Sequence, residues 1–383
     1  MPTDVFIVGA GETDFRPVIG RTSLQLGAEA SVAAFSESDL DLSSVDALIT
    51  GYSLTDGHFM FADALAEYLG IQPQTCYTVN SGGATGCLLV RNAFLAIQSG
   101  SCASVLVAWA DNRISRGSRS ETVSKLAMSG HPAYEVPYRG TVASLYALYA
   151  SRYLHEFGAR PEDLAEVAVQ FRRNAGRNPA ALKRDPVTVA DVVTSKSIAP
   201  PLHLLDCCLI SDFGGALLLS ADPAQARHAA VRVAGTGEAH AHEHVSQAQT
   251  LLQSGCAPSA ELALAQAGVK TADLDFAQLY DCFTITVLME LEELGIAPPG
   301  QAAAAFRDGA FDLGGDLPLN TNGGMMSAVN GGIHHVIEAV RQLQHRAEGR
   351  QVQGAATGLV HGLGGIMSSH CSLVLQSEGL DHR

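Results

Sequence analysis

No apolar run in this chain reaches the roughly 20 residues of a membrane-crossing helix, which sets aside an integral membrane protein. The opening Met1-Pro2-Thr3-Asp4 lacks the basic and apolar regions of a signal peptide, so a cytoplasmic location is expected. Charge is scarce: 16% of residues are charged against 47% hydrophobic, so much of the chain must be buried or lie against a partner. What charge there is runs acidic, with a net −15, and this argues against nucleic-acid binding, which needs clustered Lys and Arg. The eight cysteines lack the Cys-x-x-Cys spacing of metal or redox pairs and sit mostly in apolar segments, so they read as reduced, buried thiols. At 383 residues the chain can build one large or two ordinary domains.

What is present gathers around Asn80-Ser81-Gly82-Gly83-Ala84-Thr85-Gly86-Cys87. Thr75 to Val79 before it is β-rich, and Leu88 to Gln98 after it carries apolar residues at helical spacing. Strand, glycine turn and helix expose the helix's first N–H groups, and small residues let a ligand approach the backbone. A developing oxyanion or a thioester carbonyl would be stabilised there. Around this unit the first third alternates strands (Val5–Val8, Val45–Thr50, Ser104–Trp109) with helices (Ser23–Phe35, Phe59–Leu69). Gly9-Ala10-Gly11-Glu12 is expected to turn out of the first strand, and it is too short for a dinucleotide fingerprint.

Between about residues 111 and 200 the alternation loosens. Arg113 to Arg119 is polar and basic, and Met128 to Arg139 carries two prolines. Helices are expected over Thr141–Phe157 and Pro161–Ala175, the whole excursion covering one side of a pocket. From Val231 the chain repeats the style of its first part, with Phe276–Leu279 entering Tyr280-Asp281-Cys282-Phe283 and a helix after it. Then come Asn320-Thr321-Asn322-Gly323-Gly324, a helix near His334–Gln344, and a glycine loop at His361-Gly362-Leu363-Gly364-Gly365. Two α/β halves are expected, residues 1–228 with the excursion and residues 229–383, sharing a site between them.

Four segments, in order over nearly the whole length, resemble the thiolase superfamily: Asn80–Gly86, Phe171–Leu218, Tyr280–Gly295, and Asn320–Gly324 with Glu338–Leu343. The chain is most similar to the branch related to the thiolase domain of sterol carrier protein and to the cysteine-less acyl-CoA aldolases. The resemblance implies a thiolase-like five-layered αβαβα fold of two pseudo-symmetric halves with a loop domain. It also implies acyl-CoA thioester substrates, with coenzyme A entering as part of the substrate and no permanently bound cofactor or metal. A homodimer is implied, and relatives often pair with a small zinc-ribbon and OB-fold subunit.

The departures from that pattern direct the chemistry. A thiolase places a nucleophilic cysteine at the helix N-terminus, and here that position aligns with Gly83. Cys87 lies a turn further on, roughly 5–6 Å along the helix, and reads as a core residue. Asn330 stands near the family's histidine, and His361 at or beside its second cysteine. Tyr280 takes the place of an Asn or His, and Tyr-Asp-x-Phe looks like the aldolases in which a tyrosine acts as base. A second tyrosine of their pattern, from the region of Asn330, is missing here.

Candidate catalytic residues are therefore Tyr280, His361, Asn330 and Asp281, the last with a helix-capping role as the simpler reading. Candidate substrate-binding residues are Ser81, Gly82, Gly83, Asn320 and Gly364. His240-x-His242-x-His244 reads as solvated loop rather than metal site, and His334-His335 as surface or interface positions. The expected activity is retro-aldol or aldol chemistry on an acyl-CoA without a cysteine intermediate. An acyltransferase using another residue such as Cys87, and a degenerate CoA-binding subunit, remain as alternatives.

Overall fold

The computed structural model describes residues 3–378 apart from 18, 117, 118, 128, 129 and 139. Met128, Ser129 and Arg139 of the proline-bearing stretch thus lie outside the described residues. The first part runs β1 (Phe6–Glu12), α1 (Ser23–Ser36), β2 (Ala47–Gly51), α2 (Phe61–Leu69), β3 (Thr75–Val79), α3 (Thr85–Gln98) and β4 (Ser104–Asn112). The excursion holds α4 (Arg119–Ala127), α5 (Val142–Phe157), α6 (Pro161–Gly176), α7 (Val189–Thr194) and a ribbon of β5 (Ser197–Ala199) and β6 (Leu202–His203), before β7 (Asp212–Ser220). The remainder runs β8 (Val231–His240), α8 (Ala257–Ala267), β9 (Phe276–Leu279), α9 (Thr284–Glu293), α10 (Ala302–Arg307), α11 (Gly324–Ser327), α12 (Ile333–Leu343), β10 (Thr357–Gly364) and β11 (Ser369–Ser377).

The strands follow in the order β3-β2-β4-β7-β1-β8-β11-β10-β9, and among the described residues the two groups of strands pair through the short β1–β8 ladder at Phe6–Arg232 and Ile7–Val231. Helices α3 and α12 pack against strands from both groups, while α1 and α2 cover the outer face of the first and α8 that of the second. The result is helix, sheet, helix, sheet, helix. Strands β4 and β7 are covered on both faces, which is why Ser-Val-Leu-Val-Ala-Trp and Ala-Leu-Leu-Leu read as unbroken apolar runs. Local signals place the helix ends: Thr22 and Gln25 form a capping box on α1, Pro161 opens α6, and Gly158 in the left-handed conformation closes α5.

Two glycine readings change. Gly9 and Gly11 lie within β1, not in a turn after it, because α1 crosses so closely that a β-carbon at either would overlap its backbone at Ala34 or Ala30. Likewise His361-Gly362-Leu363-Gly364 is the end of β10, and its glycines let α3 pack on that strand.

His334 and His335 are not surface positions; both are buried, at 2% exposure. His334 Nδ1 lies 3.0 Å from Glu12 Oε2, and Arg341 joins the same carboxylate, so β1 and α12 are tied by charge across the centre. Burial alone would raise the Glu12 carboxyl, but Arg341 and His334 more than offset it and hold it at about 2. A carboxylate held that low adds stability above the ordinary carboxylate range, and the contribution is lost as pH falls through it towards 2. Glu12→Gln should therefore cost about 1.5–3 kcal/mol at neutral pH. The deficit should shrink in denaturant melts run at successively lower pH, whereas a pH-independent deficit would contradict the assignment.

Candidate active site

The glycine turn is built by its own backbone. Gly82 takes a positive φ of 54°, Ala84 N–H donates to the Ser81 carbonyl at 3.2 Å, and Ser81 N–H donates to Thr85 Oγ1 at 3.0 Å. This leads straight into α3, which starts at Thr85, one turn earlier than the apolar spacing alone indicates. The turn abuts the end of β10, where a β-carbon at Gly364 would overlap the Ser81 carbonyl. Gly364 is thus a packing glycine that lets the two halves close on each other.

Tyr280 emerges from β9 against this turn. A β-carbon on Gly83 would overlap Cζ and Oη of Tyr280 and the Leu363 carbonyl. The ring tip of Tyr280 therefore occupies the volume that any side chain at position 83 would need. Glycine at 83 and tyrosine at 280 are one structural feature. The turn and the tyrosine open into a cleft of about 1010 Å³ lined by Ser81, Gly82, Gly83, Arg113, Tyr280 and Asn330, among others. The excursion supplies its outer wall through Val123 and Leu126 of α4, Val142 and Tyr146 of α5, and Ile198. His240 and His242 line it too, and His242 Nε2 lies 3.2 Å from the Ile366 carbonyl oxygen, so these two are not simply solvated. No group of three metal-ligating side chains forms among the described residues.

Burial raises the Tyr280 hydroxyl well above its ordinary value, helped by the Cys282 and Cys208 thiols and opposed by Arg113. At neutral pH it is a phenol, able to donate a hydrogen bond, and it can accept a proton only while passing its own on. Asn330 reaches the cleft with its amide already engaged. Its Oδ1 accepts from Arg113 Nη1 at 3.0 Å, and its Nδ2 donates to the Leu209 carbonyl and, at 3.4 Å, towards Cys208 Sγ. The structure thus makes Asn330 part of the wall rather than a free oxyanion donor.

The other sequence candidates sit elsewhere. His361 is fully buried behind the turn, its Nδ1 2.8 Å from Ser372 Oγ and its Nε2 3.2 Å from His370 Nδ1. Burial first, then His370, keeps it well below the usual imidazole range, so it is a neutral ring away from the cleft. Asp281 does cap a helix, but α11 rather than the one that follows it: its carboxylate accepts from Met325 N–H at 2.9 Å and Met326 N–H at 3.0 Å. Asn320 is buried with φ 39°, exchanging hydrogen bonds with Leu279 N–H and carbonyl at 2.7 and 2.9 Å. It fixes the strand that carries Tyr280 and does not line the cleft.

Cys87 is 1% exposed and packs at Gly362, with burial driving its thiol strongly upward. Incubation with acetyl-CoA should therefore leave the intact mass unchanged. A stoichiometric adduct mapped to Cys87 would overturn this.

The residue that sequence reading missed is Arg113, hidden in a run that reads as polar loop. Its signal was the preceding Asp111-Asn112 at the end of a fully apolar strand, where charge in place of a hydrophobe marks a buried pair.

Comparison with known proteins follows the same lines. Residues 5–196 match the thiolase N-terminal domain and residues 237–377 the thiolase C-terminal domain-like family. A steroid side-chain-cleaving aldolase of Thermomonospora curvata is 34% identical, covering 89% of this chain and 90% of its own. A 17-hydroxy-3-oxo-4-pregnene-20-carboxyl-CoA lyase of Mycobacterium tuberculosis is also 34% identical, over 88% of this chain and 91% of its own. The solved Ltp2-ChsH2(DUF35) aldolase superposes with a TM-score of 0.87 at 30% identity, covering 98% of each chain. With both halves matched in order and the cleft between them, the chain belongs to the thiolase family and is an enzyme of thiolase type.

Proposed function

We propose that this cleft cleaves, or in reverse forms, the Cα–Cβ bond of a β-hydroxyacyl-CoA by retro-aldol chemistry, without a covalent acyl-enzyme. The observation that carries it is the Tyr280 ring tip in the space of a side chain at Gly83. In that place a phenol replaces a nucleophile. The β-hydroxyl proton passes to Tyr280 Oη as the phenol releases its own to solvent water, which later returns one to Cα. The Cα–Cβ bond breaks, its electron pair moves into the thioester as an enolate, and the β-carbon leaves as a ketone or aldehyde. A proton at Cα then completes the shortened acyl-CoA. The Gly83 backbone N–H, at the bend where Ser81 and Gly82 N–H are held by Thr85 Oγ1 and Asn80 Oδ1, is suited to the enolate oxygen.

Coenzyme A arrives with the substrate, and the reaction calls for no bound cofactor. A homodimer is proposed through the outer edge of β3, the terminal strand of the sheet, where Tyr77, Phe59, Met60 and Tyr68 are exposed. The name of the solved aldolase joins Ltp2 to ChsH2(DUF35), which supports a small second subunit here, for which the zinc-ribbon and OB-fold type is proposed. None of the eight cysteines is in a disulfide, in keeping with a reducing cytoplasm.

The probe is the substrate that names one relative, 17-hydroxy-3-oxo-4-pregnene-20-carboxyl-CoA, a β-hydroxyacyl thioester. With any co-purifying partner retained, the protein should convert it to a ketone and a shortened acyl-CoA in equal amounts without added CoA. A requirement for free CoA would point to acyl transfer, and an intact but tightly held thioester to a binding subunit.

A further inference from the structure

Arg113 is a buried charged group of the cleft to which this reaction so far gives no task. It follows β4 directly and is 7% exposed. Its Nε donates to Asp111 Oδ2 at 2.9 Å, and its guanidinium carbon lies 5.1 Å from the centroid of the Phe213 ring. Asp111 is itself pinned, accepting from Leu54 N–H at 3.0 Å and from Ser53 Oγ at 2.9 Å. The ion pair is therefore fixed from behind. The remaining face of the guanidinium turns into the cleft, where Nη1 donates to Asn330 at 3.0 Å and its charge acts on the Tyr52 hydroxyl. Asn330, Tyr52 and Tyr280 all line that space.

A cation needed only for folding would be satisfied by Asp111. This one divides its donors between Asp111 and Asn330 of the cleft wall, and its field reaches Tyr280. Around that phenol, Cys282, Cys208 and Tyr52 oppose negative charge, whereas Arg113 favours it. We infer that Arg113 is a positioning residue for C–C cleavage: its guanidinium braces Asn330 in the cleft wall and supplies the positive field in which Tyr280 exchanges its proton. The inference rests on Tyr280 being the acid–base group. In a site shielded from water, a nearby positive charge lowers the cost of the negative charge that develops on the phenol.

The test is a double-mutant cycle with the β-hydroxyacyl-CoA probe, read as single-turnover product formation by mass spectrometry. Arg113→Gln should lower the cleavage rate by roughly 10–10³-fold, the effect of removing a counter-charge worth one to three pKa units. KM should move by less than about threefold, because CoA contacts dominate binding. In the Tyr280→Phe background the same change should cost less than about threefold, since the group through which Arg113 acts is gone. Arg113→Lys should recover part of the rate by keeping the charge while losing the forked geometry. An equal loss in both backgrounds, or a loss confined to KM, overturns the positioning role and leaves the reading of Tyr280 standing. An unaffected Tyr280→Phe overturns that reading and this one together. Should Arg113→Gln fail to fold, Asp111→Asn/Arg113→Gln removes both charges and takes its place in the same cycle.

Discussion

Tyr280→Phe is expected to lower C–C cleavage by roughly 10²–10⁴-fold, the usual contribution of a positioned acid or base. The ring would still fill the space beside Gly83, so the fold and the cleft wall should stay as they are. Only the hydroxyl is lost, and with it the path by which the β-hydroxyl proton leaves. Substrate affinity should change little, because the CoA moiety and apolar acyl group supply most of it. Burial already holds this phenol neutral, so its work is a relay rather than a standing charge. The rate is read as ketone formation in the assembled protein, with melting temperature as a control. Full activity with an unchanged melt would make Tyr280 a structural tyrosine.

The second large effect is at Gly83. Gly83→Ala adds one β-carbon, which overlaps the Tyr280 ring tip and the Leu363 carbonyl. Overpacking of this kind costs about 1–3 kcal/mol, and here it also pushes the reacting hydroxyl aside. Cleavage should fall at least about 10²-fold, since an ångström of misplacement is enough for that. Gly83→Ala/Tyr280→Ala should regain part of the lost stability, because the ring that was struck is gone, yet remain inactive. If Gly83→Ala melts and turns over like the parent protein, the two residues do not share one space and the reading of the site fails.

The unit Thr75–Gln98 was legible because it is local: a β-rich strand, a glycine run and helical spacing each declare themselves within a few residues. The four family-like segments likewise gave the layered fold, which the matched domains and the superposition bear out. What sequence could not show was set by contacts between distant segments. Gly9, Gly11, Gly362 and Gly364 read as turns, but they lie in strands where a helix or the glycine turn crosses too closely for a side chain. Nothing in the local pattern separates the two cases. His361 looked available in a glycine loop, yet its position in β10 aims it at Ser372 and His370, away from the cleft. Asp281 was assigned to the nearest helix, while the fold brings α11 to it instead. The coupling of Gly83 to Tyr280 joins the two halves of the chain, so each residue was noticed singly and their shared volume was not. Arg113 was lost among polar neighbours for the same reason: its partner Asn330 comes from the far end of the chain.

One turnover of the β-hydroxyacyl-CoA probe in deuterium oxide, without free CoA, tests the central claim most directly. Retro-aldol cleavage predicts a ketone and a shortened acyl-CoA in equal amounts, with one solvent deuterium on the acyl α-carbon and the protein mass unchanged. An acyl group retained on the protein, or no cleavage until free CoA is supplied, would contradict it.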